Sequence, residues 1–556
     1  MNQLLTPERD SRNAALWPKA DLLLTGGRVW RGLGLPETAA LALWKGRVLA
    51  AGSAADLAEL KGPQTRIIDL RGRLAVPGFC DAHEHLIPIG LGLVELDFKP
   101  PKATRIEEIV GAVKAEAARL GPGRWIIGRG YDHFHLDVKR HPLREELDRA
   151  APENPVYIRR TCGHMGVASS RALAAAGIAE GVNDPPGGAF ERRDGRLTGL
   201  VQERAQEVVY RAMPKPGRAQ LIDAIERAGR HCLAQGITSV VDAGVGLRAK
   251  FQEWFAYQEA KRSGKLPLRA YLSFTGGHDG ALADAEAAGL VTGIGDEWLR
   301  IGPVKLWADG SAGGKTAAMS EPYRCSHGNR GILCYDGREM DAMVGDAHEK
   351  GWQIAVHAIG DAAIQQAIVA IEKAQTKTPR ADARARIEHC GFVTDRQIGE
   401  MKRLGIIPSP QPVFVHEFGD LYVDVLGEAR AEASYPMRRW HERGLRPAAG
   451  SDAPVSSDDP LIGLHVMVTR KTDRGRVLGA GETLPLAEAL HTYTANGAHS
   501  AFAEAERGTL AVGMLADVAV IDRDLFATPP GELLQAKVDL TLVGGEVRYD
   551  RLGEAR

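Results

Sequence analysis

The segment VPGFCDAHEHL, Val76–Leu86, closes an apolar run on two histidines one residue apart, His83 and His85, with Asp81 just upstream. On a strand, alternate side chains face the same way, so this spacing predicts both imidazoles on one face at a strand's end. Neutral imidazole is the commonest protein ligand for zinc-like ions. An HxH alone is weak evidence, and the chain holds a second one: DHFHLD sets His133 and His135 at the same spacing. The company each pair keeps has to separate them.

Working outward, GFCDAHEH is followed by further short apolar, β-branched runs: TSVVDAG, LRAYLSF, IGPVKLWADG, WQIAVHAIG, ARIEHC, GIIPSPQP and LRPAAGSDAP. Helical patterns such as REMDAMVGDAHEKG and DAAIQQAIVAIEKAQ lie between them. Eight strands alternating with helices predict an α/β fold, a (β/α)₈ TIM-like barrel, over residues 78–504. The ends read differently. DLLLTGGRVW, AALALWKGRVLAAG and TRIIDLRGRLAVPG near the start, and GTLAVGMLADVAVIDRD and VDLTLVGGEVRYD near the finish, are short strands broken by glycine-rich turns. They predict a small β-sandwich domain composed of residues 1–77 and 505–556. Between the first two barrel strands, residues 93–216 exceed any ordinary loop and carry elements of their own, including RWIIGRGYD and NPVYIRRT. They are expected to form an inserted subdomain over the barrel mouth.

Later strands strengthen the His83–His85 reading. VKLWADG ends near Lys305, IAVHAIGD near His357, RIEHC near His389 and AAGSDAP near Asp452. In a barrel the C-terminal strand ends share one mouth, where active sites sit. A polar residue in an apolar strand costs stability unless it finds a partner, so packing explains these strand ends poorly. No such strands accompany His133 and His135, which are expected in a polar loop over the mouth.

The motifs PGFCDAHEHL, VKLWADGSAGGKTA, VHAIGDAAI, RIEHC and GSDAPV, with the tail GTLAVGMLADVAVIDRD and the insertion segments RWIIGRGYD and RTCGHMGVASSRAL, resemble those of the amidohydrolase superfamily. The similarity is to its amidohydrolase-3 branch, of YtcJ-like and N-substituted formamide deformylase-like metal-dependent hydrolases, and spans nearly the whole chain. The resemblance implies a divalent metal cofactor, one or two ions. His83, His85 and Asp452 would hold the first ion, and His357 and His389 a second. Lys305 would join them as a carboxylated lysine; an unmodified lysine is a cation and cannot ligate. A single ion, and an ion-paired structural Lys305, stay open. The ligand types suit zinc, with manganese, iron or nickel also compatible. Asp452 would shuttle the proton while metal-activated hydroxide attacks; capping of a helix N-terminus is its structural alternative. The implied activity is hydrolysis of a C–N bond other than a peptide bond in a small molecule. Ester, carbamate and cyclic-amide hydrolysis are alternatives; a non-hydrolytic metal enzyme and a non-catalytic scaffold rank lower.

Substrate contacts are expected from His164, Asp309 and His416, and as a minority reading from Asp132. The loop ADGSAGGKTA lacks the GxxxxGK[ST] spacing of a phosphate loop. Cys80 and Cys390, next to ligands on strands, are expected to point the other way and pack. His465, His491 and His499 read as structural.

The totals bound the rest. A chain of 556 residues supports a large catalytic domain plus a smaller unit. Its formal net charge of -1 gives no global field for nucleic acid or anionic membranes. Six cysteines without a CxxC pair predict reduced thiols. With no signal-like N-terminus and no membrane-length apolar run, the reading is a soluble, cytoplasmic protein with a small-molecule substrate, a homo-oligomer being one of the open states.

Overall fold

Seven strands follow one another around the centre of the molecule, β1 (Phe79–Glu84), β2 (Ile237–Val245), β3 (Arg269–Thr275), β4 (Leu299–Trp307), β5 (Ile354–Ala358), β6 (Arg386–His389) and β7 (Ile407–Ser409). Each pairs in parallel with the next in chain order, giving one sheet that runs from β1 to β7. The structure, a computed structural model, describes residues 18–277, 280–324, 326 and 328–553. The N-terminal segment 1–17, read above as lacking a secretory signal, lies outside the described residues.

The expected eighth strand does not form as a regular strand. Residues 448–453 nevertheless fill the gap between β7 and β1. Ala448 and Gly450 donate to the carbonyls of Pro408 and Pro410, while Ala82 and His85 of the first segment donate to Ala449 and Ala453, and Asp452 donates back to His83. The sequence explains the irregularity. Pro408 and Pro410 have no N–H, so the ladder on that side has donors from one segment only. Gly450 is required by close approach: a Cβ there would lie 2.4 Å from the His83 nitrogen. The sheet is therefore a nearly closed barrel, sealed by a hydrogen-bonded but kinked stretch.

Helices cover the outside because their apolar residues recur at helical spacing. Asp361–Lys377 buries Ala363, Ile364, Ala367, Ile368, Ala370, Ile371 and Ala374, which join one continuous core with Val356, Phe274 and Trp352 of the barrel. Gly337–Glu349 starts at an Asp336 cap whose side chain accepts from the Arg338 and Glu339 nitrogens. Burying a side chain the size of Trp352 or Phe274 is worth about 1.5–3 kcal/mol. No helix among the described residues is long and apolar enough to cross a membrane.

Two further sheets form a sandwich from both chain ends. A four-stranded sheet comprises residues 22–25, 40–44, 47–52 and 66–69; a five-stranded one comprises 28–29, 74–77, 518–521, 538–543 and 546–550. They share a core that includes Leu22, Leu41, Ala75, Val518 and Leu540. Leu74–Pro77 pairs antiparallel with Val518–Ile521 and runs directly into β1, so the sandwich anchors the first barrel strand. Between β1 and β2 a six-stranded sheet, from Leu96–Asp97 to Arg196–Glu203, has its own core of Ile109, Val113, Ile126, Val156 and Val167.

Candidate metal centre

Alternation along β1 puts Asp81 and His83 on one face, and His85, just past the strand at the N-terminus of the helix Leu86–Gly92, reaches Asp452 with its Nε2. His389 ends β6 with φ 66°, and Asp452 sits in the sealing stretch with φ 58°. Left-handed backbone at a non-glycine residue costs about 1 kcal/mol or more, and here it turns both side chains toward His83. One ligand atom from each of His83, His389 and Asp452 lies within 4.8 Å of the others, and all three residues are buried. Asp452 Oδ1 lies 3.1 Å from His85 Nε2 and 3.4 Å from His83 Nε2. Lys305 Nζ, from β4, stands 3.4 Å from His83 Nε2. The His357 ring lies 4.4 Å from that of His389, but its Nε2 faces the Gly310 carbonyl at 3.1 Å and Asp309 Oδ1 at 3.3 Å.

The partners of these donors fix their tautomers. His83 Nδ1 donates to Glu388 Oε2 at 2.5 Å, which leaves Nε2 as the lone-pair nitrogen facing Asp452 and Lys305. Glu388 is clasped by Arg386 through two bonds of 2.7 and 3.1 Å, and Arg386 also donates to the Ala82 carbonyl at 2.6 Å. Burial alone would raise the Glu388 carboxyl. Arg386 and His83 outweigh it and hold the group well below the usual carboxylate range. Gln411 Nε2 donates to the Ser409 carbonyl, which orients its Oε1 to accept from His389 Nδ1 at 2.6 Å. The Nε2 of His389 is thereby the free acceptor.

Charge follows the same pattern. Burial pushes the Asp452 carboxyl up, but its hydrogen bond with His85 and its close contact with the His83 imidazole bring it well below its ordinary value. Burial lowers His389 and His357, so both are neutral imidazoles, the form that ligates. Burial pulls Lys305 down to about 8 against the opposing charges of Glu388 and Asp452. Buried imidazole nitrogens and a carboxylate converging on one point form the donor set of a zinc-type site, and these residues fit a divalent ion.

The insertion reaches this centre through His164. Its Nδ1 donates to Glu203 Oε2 at 2.8 Å, while the Glu203 backbone N–H donates to the His164 carbonyl at 2.7 Å. Its ring lies 6.3 Å from that of His357. Burial opposes its charge, but Glu203 raises His164 to about 9. The other expected contacts are placed differently. Asp309 is buried; its carboxylate accepts from the backbone nitrogens of Ala318, Ile359 and Gly360 and lies 3.3 Å from His357 Nε2. His416 bonds the Lys471 carbonyl and lies near the His465 ring. Asp132 bonds Arg160 and His135 within the insertion. Cys80 and Cys390 are buried; Cys390 Sγ lies 3.8 Å from Met401 Sδ. Glu388, Arg386, Gln411 and Glu203 escaped the sequence reading. The one available signal was Glu388, a carboxylate in the apolar RIEHC strand.

The sequence model of the amidohydrolase family matches residues 66–549. YtcJ of Bacillus subtilis is 31% identical over 528 residues, covering 93% of this chain and 96% of that protein. An N-substituted formamide deformylase of Arthrobacter pascens is 28% identical over 517 residues, covering 91% and 94%. Among solved structures, an uncharacterized metal-dependent hydrolase from Pyrococcus furiosus superposes with TM-score 0.72 at 30% identity, covering 91% of this chain and 99% of that one.

Proposed function

We propose, from the premise that this chain belongs to the amidohydrolase family of metal-dependent hydrolases, that it cleaves the C–N bond of an amide-type small molecule. The observation that carries the reading is the convergence of His83, His389 and Asp452 within 4.8 Å, with Asp452 Oδ1 against both His83 and His85. His83, His85, His389 and Asp452 would hold a divalent ion, zinc by donor type. When bound, that ion supplies Lewis-acid activation, lowering the pKa of a water toward about 7 and polarising a carbonyl.

The chain's residues do the rest. Asp452, kept anionic by its histidine neighbours, takes the proton of the attacking water and returns it to the leaving nitrogen. The bond formed is oxygen to carbonyl carbon, the bond broken is carbon to nitrogen, and the products are a carboxylic acid and an amine. Glu388 holds the His83 ring in register. Lys305 would become a ligand only as its carbamate, formed from neutral amine and carbon dioxide with loss of a proton. Its pKa, lowered by burial to about 8, makes the neutral amine more accessible than in an ordinary lysine, and with His357 it would serve a second ion. His164 presents an N–H to the substrate oxygen from the insertion side.

N-substituted formamides are the first substrates to try, because a relative 28% identical carries that activity in its name. The test is turnover of formamides, amides, carbamates and esters in ¹⁸O-labelled water. Label in the acid product is expected; product without solvent oxygen contradicts hydrolysis.

A further inference from the structure

The loop after β2 holds an arginine that the reaction above does not use. Glu253 is buried and spends both carboxylate oxygens on backbone nitrogens, those of Gly246, Arg248 and Ala249, each at 2.6 Å. Three such bonds fix residues 246–249 as a rigid turn. Gly246 permits it with φ 114°, where a Cβ would stand 2.5 Å from Thr275 Oγ1. The turn begins against the metal centre: a Cβ on Gly244 would lie 2.9 Å from His85 Nδ1.

Arg248, half-buried on this turn, points at the insertion. Its guanidinium lies 5.6 Å from the Tyr210 ring centre and has no hydrogen-bond acceptor and no ion-pair partner among the described residues. Arg159, 8% exposed, lies near it, and burial together with the Arg159 charge lowers the Arg248 guanidinium below its ordinary value. Arg159 is paired with Glu95, and its Nε is buried without a partner. Two guanidinium groups therefore face one carboxylate, Glu95, because Glu253 is committed to the turn. A guanidinium carries five donors in a fork that matches a carboxylate, and beside Arg248 the buried Arg159 Nε is a donor left without a partner, which costs free energy until an acceptor arrives.

We infer that Arg248, backed by Arg159, is the receptor for a carboxylate on the substrate, so that the substrates are amides bearing an anionic group on the side facing the insertion. This rests on the reading of the barrel mouth as the substrate site, and it narrows that reading from amides in general to anionic ones. Distance from the scissile bond is then set by the turn at residues 246–249 and not by the metal ligands.

The test compares N-formyl amino acids with their neutral C-terminal amides as paired ligands. Binding is measured calorimetrically on metal-stripped protein, and turnover separately on the holoenzyme. On the stripped protein the acid should bind at least about tenfold more tightly than its amide. Arg248→Gln should collapse that ratio to about threefold or less, and Arg248→Lys should retain part of it, both variants keeping the thermal midpoint of the parent. Equal binding of acid and amide, no detectable binding of either at millimolar concentration, or a preference that survives Arg248→Gln overturns the inference. A preference seen only with metal present also overturns it, because the carboxylate would then be a metal ligand. Hydrolysis of neutral amides without any acid preference sinks this inference and leaves the hydrolase reading standing. Acid preference without turnover does the reverse.

Discussion

His83–His85 and His133–His135 have the same spacing and opposite surroundings. The first pair spans the end of β1 and the start of the next helix, and Asp452 Oδ1 lies within 3.4 Å of each Nε2. The second pair sits on a turn, with the His135 nitrogen bonded to the Asp132 carbonyl. It splays: His133 Nδ1 accepts from Arg160 Nε at 3.0 Å, and His135 Nδ1 donates to Asp132 Oδ2 at 2.8 Å. His133 stacks on His141 with ring centres 4.1 Å apart. Charge widens the contrast. Carboxylates Glu388 and Asp452 flank the first pair, whereas burial and the buried Arg160 cation push His133 down to about 4. At the first place carboxylate and imidazole donors converge on one point, whereas the carboxylate at the second, Asp132, is spent on Arg160 and His135. Ligand spacing is local, but a metal site is made by what converges on it.

Four expected outcomes break or sharpen this contrast. Asp452→Asn keeps the geometry but removes the proton acceptor, so kcat should fall by about a thousandfold or more while more than half the metal stays bound; turnover within tenfold of the parent removes Asp452 from the proton path. His83→Ala should strip most of the metal, measured by elemental analysis of the purified protein, whereas His133→Ala should leave metal content unchanged. Equal loss in both would erase the distinction between the pairs. Glu388→Gln keeps the shape but weakens the hold on His83, and should cost about 10- to 100-fold in metal affinity by chelator competition. His164→Gln probes the insertion's own charged pair. The folded-state pKa of about 9 lies above the ordinary 6.5, so the His164 contribution is fully present below pH 6.5 and lost as pH rises through 9. The variant should be about 1–2 kcal/mol less stable to denaturant at pH 6 and indistinguishable from the parent at pH 10. A pH-independent deficit would mean lost packing instead.

The barrel was legible where strands are apolar runs ended by a polar residue, as in VKLWADG and IAVHAIGD. It was not legible at Ala448–Ala453, which completes the barrel through hydrogen bonds that prolines on the neighbouring strand force into one direction. That irregularity is a property of two segments about 40 residues apart, and neither shows it alone. The insertion announced itself by length and by periodicities of its own. Within the candidate site, the rank of ligand types along the chain was visible. The hydrogen-bond partners were not, because Glu388 meets His83 across 305 residues and Glu203 meets His164 across 39. The orientation of His357 was equally hidden. Its strand places the ring beside His389, but the turn at Asp309–Gly310, built by three backbone bonds to Asp309, decides where its Nε2 looks.

The claim beneath all of this is that distant strand ends build one cation site at His83, His389 and Asp452. Anomalous diffraction from crystals of the protein as purified, collected across a metal absorption edge, tests it directly. The account predicts a peak about 2.0–2.3 Å from donor atoms of these three residues and none beside His133 and His141. Absence of metal at the first position in a metal-replete, active preparation, or a peak at the second, would contradict it.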